Sequence, residues 1–270
     1  MKQFFRYAIL ISVSVLMIIP LAMMIVLSLK TTPEQYDSVF DILTSPFTIA
    51  NYSEAFSSDN FLIYFLNSTF VATVITAANL LFCYTSGYVF ARKLRSKKTS
   101  WLFGSVLLVL FIPAQVIMIP LYKMMALFGW LNSYAALIIP WLVSPFGIFL
   151  VKQYIESVPK ELEEAARIDG ASELRIIFRI VFPLCKPILS VLIVYIFLFH
   201  WNSFLFPFLF VSDTNVRTLP VGLAFYLGKQ SIDWGHLMAG AGISSLPVLL
   251  LFLFFQKQII QSLTSGALKE

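Results

Sequence analysis

Charge is what this 270-residue chain has least of: Asp, Glu, Lys and Arg make up 12% of it, against 59% hydrophobic residues. Soluble domains carry roughly 25% charged residues, so the composition excludes an ordinary water-soluble fold and indicates an integral membrane protein. Cysteine is scarce too. Cys83 and Cys185 have no C-x-x-C spacing, which points to neither a disulfide framework nor a zinc site, and no metal site is expected. The nucleotide patterns G-x-x-x-x-G-K-[ST] and G-x-G-x-x-G do not occur. Neither do G-x-S-x-G or H-E-x-x-H. The chain therefore reads as a non-enzyme, with no ATP-hydrolysing motif and no bound cofactor of its own. No cluster of cations interleaved with aromatics marks a nucleic-acid surface, so no nucleic-acid partner is expected.

What is present is oil, in six runs each long enough to cross a bilayer, which takes roughly 20 residues. They span about 7–29, 61–90, 101–121, 134–151, 187–211 and 236–255. None contains Asp or Glu. Ion-coupled carriers usually keep an acidic or other ion-binding group at mid-membrane, so the energy for any transport is expected from elsewhere. The first run is too long for a signal-peptide core and no small-x-small site follows it, so it reads as a retained helix. Of the 19 Lys and Arg, 15 fall in the termini and in the loops around 92–98 and 152–186, leaving Lys30, Lys123, Arg217 and Lys229 on the other side. That asymmetry places both termini in the cytoplasm. The expected fold is all-α and polytopic: one transmembrane domain over 1–270 with a cytoplasmic loop 152–186 and tail 256–270.

The charged exception is residues 157–187, an expected helix–glycine–helix elbow between the fourth and fifth runs. Pro159 suits a first helical position, and Glu161, Glu163 and Glu164 sit where the helix dipole favours acids. Leu162, Ala165 and Ala166 form a short small-sided stripe. Glu163 can pair with Arg167 at i+4, leaving Glu164 without a local cation. Gly170 ends the first arm, and Ser172 suits the N-cap of the second. There Leu174, Ile177, Phe178 and Val181 make an i, i+3, i+4, i+7 face. Alanines at a surface let a partner's backbone approach closely, so the first arm reads as a docking peg.

Glu164-Ala165-Ala166, Asp169-Gly170-Ala171, Phe178, Ile180, Pro183-Leu184 and Pro187 together resemble the EAA loop of ABC-importer permeases. Leu263-Thr264-Ser265-Gly266-Ala267-Leu268-Lys269 is similar to the tail of maltose-type (MalG-like) subunits, and Trp201-Asn202 with Phe204 to a segment of sugar-type permeases. The resemblance implies a type I ABC-importer permease fold in a bacterial or archaeal plasma membrane. It also implies a sugar or oligosaccharide as cargo and four kinds of partner: a second permease, two ABC ATPase subunits (homodimer or heterodimer), an extracytoplasmic solute-binding protein and the lipid bilayer. ATP and Mg would be held by the ATPases. Glu164, Ala165, Ala166, Asp169, Gly170, Ala171, Leu174 and Phe178 would couple to the ATPase. Leu174, Ile177 and Phe178 would hold the second arm against the subunit's own helices, with Asp169 as its cap. Thr264, Ser265 and Gly266 would reach between the ATPases.

Polar residues inside the runs are candidates for a wet path: Asn67, Gln115, Trp201 and Asn202, with interhelical packing the competing role. Gly228, Lys229 and Gln230, in the loop 212–235, are candidates for contact with the delivery protein. Trp130-Leu131-Asn132 reads as an interfacial anchor. Two other readings keep the residues in view: the same architecture importing a non-sugar solute, and an ion-coupled secondary carrier.

Overall fold

The computed structural model describes residues 2–31, 44–57, 60–93, 96–227 and 234–267, with side chains for 3–31, 44–57, 60–93, 96–225 and 234–258. The described residues are helical apart from loops and a single bridge between Lys30 and Phe47. An apolar solvent leaves the backbone no partner but itself, which is why the oily runs become helices.

At the centre lies the helix Phe61–Tyr88, whose buried residues include Tyr64, Ser68, Val71, Ile75, Asn79, Cys83 and Tyr88. Up to Cys83 these recur every three or four residues and form a stripe along one side of the helix, which Gly87 continues. The helices Pro145–Ser157 and Lys186–Trp201 pack against it. Where its end passes the first of them, Gly87 is required: a Cβ there would lie 2.8 Å from Val151 Cγ1. The long helix Trp234–Ala267 packs on Lys186–Trp201, and Lys2–Ser28 packs on Trp234–Ala267 at the periphery. Lys2–Ser28 is the most outward of the set, with none of its most apolar window buried.

Among the described residues four helices are long and apolar enough to cross a membrane: Gln3–Ser28, Phe61–Lys93, Tyr134–Ser157 and Trp234–Gln258. Two bent pairs would bring the number to six. The expected run 101–121 is one of them, broken between Lys97–Phe111 and Ala114–Leu127 by a 98° bend. Pro113 causes the break, because a proline pushes the residue before it out of helical geometry, and Ile112 is extended at φ −88°, ψ 114°. The other pair joins Glu173–Leu184 to Lys186–Trp201 at 79°, and the expected run 187–211 is separately interrupted at its far end. Its helix stops at Trp201 and resumes as Leu205–Phe210. Pro207 has no N–H, and its ring would clash with the carbonyl of Ser203 in a continuous helix.

The Trp130 segment is no free interfacial anchor. Trp130 and Leu131 pack partly buried on the core. Asn132 takes the left-handed φ of 58°, and its Oδ1 accepts from the backbone N–H of Ser212 at 2.7 Å and of Asp213 at 3.0 Å.

Candidate functional site

The elbow begins later than the sequence indicates. Its first arm is Glu161–Ile168 with Lys160 at the N-cap, so Pro159 precedes the helix rather than opening it. The arm ends in a Schellman motif. Ala171 N–H donates to Ala166 O at 2.9 Å and Gly170 N–H to Arg167 O at 3.0 Å, which satisfies carbonyls the helix leaves over. Gly170 sits at φ 79°, a conformation that costs any other L-residue about 1–2 kcal/mol.

Glu163 and Glu164 are neighbours in sequence and opposites in environment. Glu163 is buried at 2% exposure, while Glu164, Leu162 and Ala165 face outward. Arg92 Nε donates to Glu163 Oε1 at 2.6 Å, and the Tyr88 hydroxyl donates to Oε2 at 3.0 Å. The expected i+4 partner, Arg167, stands farther off at 3.6 Å. Arg92 also donates through Nη2 to Val158 O at 2.7 Å. The acid of the first arm is thus clamped to the end of the central helix, 71 residues back along the chain.

A second, exposed layer flanks this clamp. Glu173 accepts from Arg167 Nη2 at 2.9 Å and from Lys93 Nζ. Those two hydrogen bonds, Lys93 first, hold the Glu173 carboxyl below its usual range, and the bond to Glu173 raises Arg167 above its own.

The second arm turns a different face inward from the one the sequence indicates. Leu174 is 69% exposed and Phe178 41%, whereas Ile176 and Val181 are fully buried. The cause is a π-helical turn over Ile176–Val181. Its wider winding brings residues five apart onto one side, so a 3.6-residue template picks the wrong stripe. Of the expected face, Ile177 and Val181 still meet the core, and Phe178 reaches Tyr84 with ring centroids 6.1 Å apart. The Tyr84 hydroxyl donates to Ile177 O. Asp169 does not cap this arm; it is the C-cap residue of the first. Ser172 holds the N-cap position through its backbone alone. A second π-helical turn, Val89–Lys93, carries Arg92 and Lys93.

Residues 83–265, which include the whole elbow, match the family described as "Binding-protein-dependent transport system inner membrane component". The chain belongs to this family. Such a permease is a multi-pass protein of the plasma membrane. The arabinooligosaccharides transport system permease protein AraQ of Halalkalibacterium halodurans is 34% identical over 255 residues, covering 93% of this chain and 91% of that protein. The multiple sugar-binding transport system permease protein MsmG of Streptococcus mutans is 33% identical, covering 99% and 98%. The trehalose/maltose transport system permease protein MalG of Thermococcus litoralis is 32% identical, covering 96% and 94%. A chain in the crystal structure of a bacterial ABC transporter involved in the import of the acidic polysaccharide alginate matches in fold, with a TM-score of 0.82, 20% identity and 94% of this chain covered.

The polar residues of the permease's runs divide sharply. Trp201 is 3% exposed. Phe197 stacks on it at 12° between planes, Phe65 meets it edge-on, and its Nε1–H donates to Ser244 O at 3.2 Å. Its faces are taken, so it packs rather than lining a path. Asn67 is likewise committed. Its Nδ2 donates to Asn215 O and Arg217 O at 2.9 Å, and the Tyr134 hydroxyl donates to its Oδ1 at 2.6 Å. Asn202 and Gln115 are exposed. Asn202 sits at the helix C-cap, with Nδ2 donating to Leu198 O at 2.9 Å. Thr264, Ser265 and Gly266 fall in the unbroken helix Trp234–Ala267. Gly228, Lys229 and Gln230 lie outside the described residues.

The sequence reading missed Arg92 and Tyr88. The signal available was weak: two adjacent acids on a helix point about 100° apart, so on an arm packed along one side Glu163 and Glu164 need not share an environment.

Proposed function

We propose that this chain is one permease subunit of an importer for a sugar or oligosaccharide, powered by separate ATPases through the elbow. A second permease would complete the path, two ATPase subunits holding ATP and Mg would dock beneath, and an extracytoplasmic binding protein would deliver the solute. The chain itself would hydrolyse nothing. In this reading it crosses the membrane six times, counting each bent pair once, with both ends in the cytoplasm as the distribution of lysine and arginine requires. The names of the relatives, which transport oligosaccharides, trehalose or maltose and multiple sugars, support the cargo class.

One observation carries the coupling role. The first arm is anchored by Glu163 and Ala166 on its inner side while Leu162, Glu164 and Ala165 stay exposed. A partner that closes on the outer side moves a lever already bolted to the central helix. Glu164 would pair with an ATPase cation, and Asn202 and Gln115 remain as candidates for the solute path. The test is Glu164→Lys in the assembled complex. Solute uptake and ATPase docking should be lost while the permease still folds and reaches the membrane. Full uptake with normal docking would refute the assignment.

A further inference from the structure

Beside the elbow lies a cavity of about 450 Å³ that the coupling role does not use. Its polar lining is Arg92, Thr99, Ser100, Lys152, Glu156 and Lys160, three cations against one carboxylate. Lys152 donates to Glu156 Oε1 at 2.7 Å and lies 4.7 Å from the centroid of Phe103, also in the wall. Lys160 is exposed and makes no ion pair among the described residues. Arg92, 4% exposed along its side chain, spends Nε and Nη2 on Glu163 and Val158, and its buried Nη1 has no hydrogen-bond partner. A buried guanidinium N–H without an acceptor is costly, and Arg92 brings its full charge to the cavity wall.

Ser100 belongs also to a second hollow of about 430 Å³, lined by Trp101, Gly104, Ser105 and Leu108. These residues lie on the outer side of the helix Lys97–Leu108, where Trp101 is 80% and Leu108 65% exposed. From Ser100 to Leu108 the groove runs about 12 Å at 1.5 Å per residue. A cationic cup and an apolar groove thus adjoin at Ser100 on one helix.

We infer that this is a binding site for an anionic glycerophospholipid of the cytoplasmic leaflet. Its phosphate would sit among Arg92, Lys152 and Lys160, and an acyl chain would lie along Gly104 and Leu108. The head alone would suit any phosphate; the adjoining apolar groove selects a lipid. The side of the membrane rests on the orientation proposed above. Through Arg92 the headgroup would touch the residue that clamps the elbow, so the bilayer's charge would bear on the lever.

The full complex, purified in detergent with equal phosphatidylglycerol and phosphatidylcholine, can be read by native mass spectrometry for retained lipid. No ATP or solute is needed, so the result is independent of whether the transport reading holds. Wild type should retain phosphatidylglycerol over phosphatidylcholine. Lys152→Gln and Lys160→Gln should each lower that preference about fivefold, the worth of one cation at an anionic surface. Gly104→Trp places its side chain where nothing lies within 4 Å of a Cβ, and should reduce retention without lowering the melting temperature. Gly104→Leu serves the same purpose with a smaller side chain. Excess inorganic phosphate should not displace the lipid. Equal retention of the two lipids, retention unchanged in all variants, or displacement by phosphate would overturn the assignment. So would a crosslink showing a side chain of another subunit in the cavity.

Discussion

The central helix is held at its two ends by different chemistry. Near its start Asn67 and Ser68 tie it to the 215–219 segment through neutral bonds: Asn67 to two carbonyls, and Ser68 Oγ accepting from Leu219 N–H at 2.8 Å. At its far end Arg92 and Tyr88 hold the elbow through a buried ion pair. A neutral amide bond fixes a position and ends there. A buried ion pair carries a heavy penalty if either partner leaves, and so forces the two elements to move as one. The first anchor is suited to a hinge-free wall, the second to a lever.

The largest effect should come from breaking the charged anchor. Glu163→Ala leaves Arg92 buried and unpaired, at a cost of about 3–5 kcal/mol. A large drop in melting temperature and loss of coupled ATP turnover should follow. Glu163→Ala with normal melting would mean the pair is not what binds the elbow. Glu164→Lys, one residue on, sharpens the contrast, since it should spare melting and remove docking. Asn67→Ala at the neutral anchor should cost less, about 1–3 kcal/mol for the polar groups left over, and uptake per folded molecule should persist. A loss of uptake at unchanged stability would place Asn67 on the path after all.

The smallest effect concerns the exposed layer. Glu173 has its pKa depressed by Lys93 and Arg167. A depressed carboxylate contributes its stabilisation in full above the unfolded value of about 4.3, and loses it as pH falls through the lower folded value. Melting should therefore soften only below about pH 4, and Glu173→Gln should remove that part of the acid sensitivity. The pair is well solvated, so the change should be slight. A transition near neutral pH that vanishes in Glu173→Gln would contradict the assignment.

What could be read from the chain before folding follows from range. The Gly170 turn and the exposure of Leu162, Glu164 and Ala165 rest on local rules, and the described residues keep them, whereas Ala166 of the expected docking stripe is buried against the core and two of the oily runs are broken. The Arg92–Glu163 pair spans 71 residues, where local spacing offers only Arg167. On the second arm Ile177 and Val181 were legible, but Ile176 escaped because it lies five residues from Val181, a spacing a 3.6-residue template does not bring to one side. Trp201 and Asn67 looked like path residues because polarity in an oily run is ambiguous until partners are known. Pro113 and Pro207 were visible throughout, and their cost to a straight helix should have shortened the third and fifth runs.

The central claim is that the elbow brings in work done elsewhere. Uptake of a labelled oligosaccharide by proteoliposomes is its most direct measure. The vesicles would hold this chain with its companion permease, the ATPase subunits included or left out, and loaded binding protein outside. Accumulation should require the ATPases and ATP, and should be absent without them even under an imposed ion gradient. Vigorous uptake by the permeases alone would contradict the account.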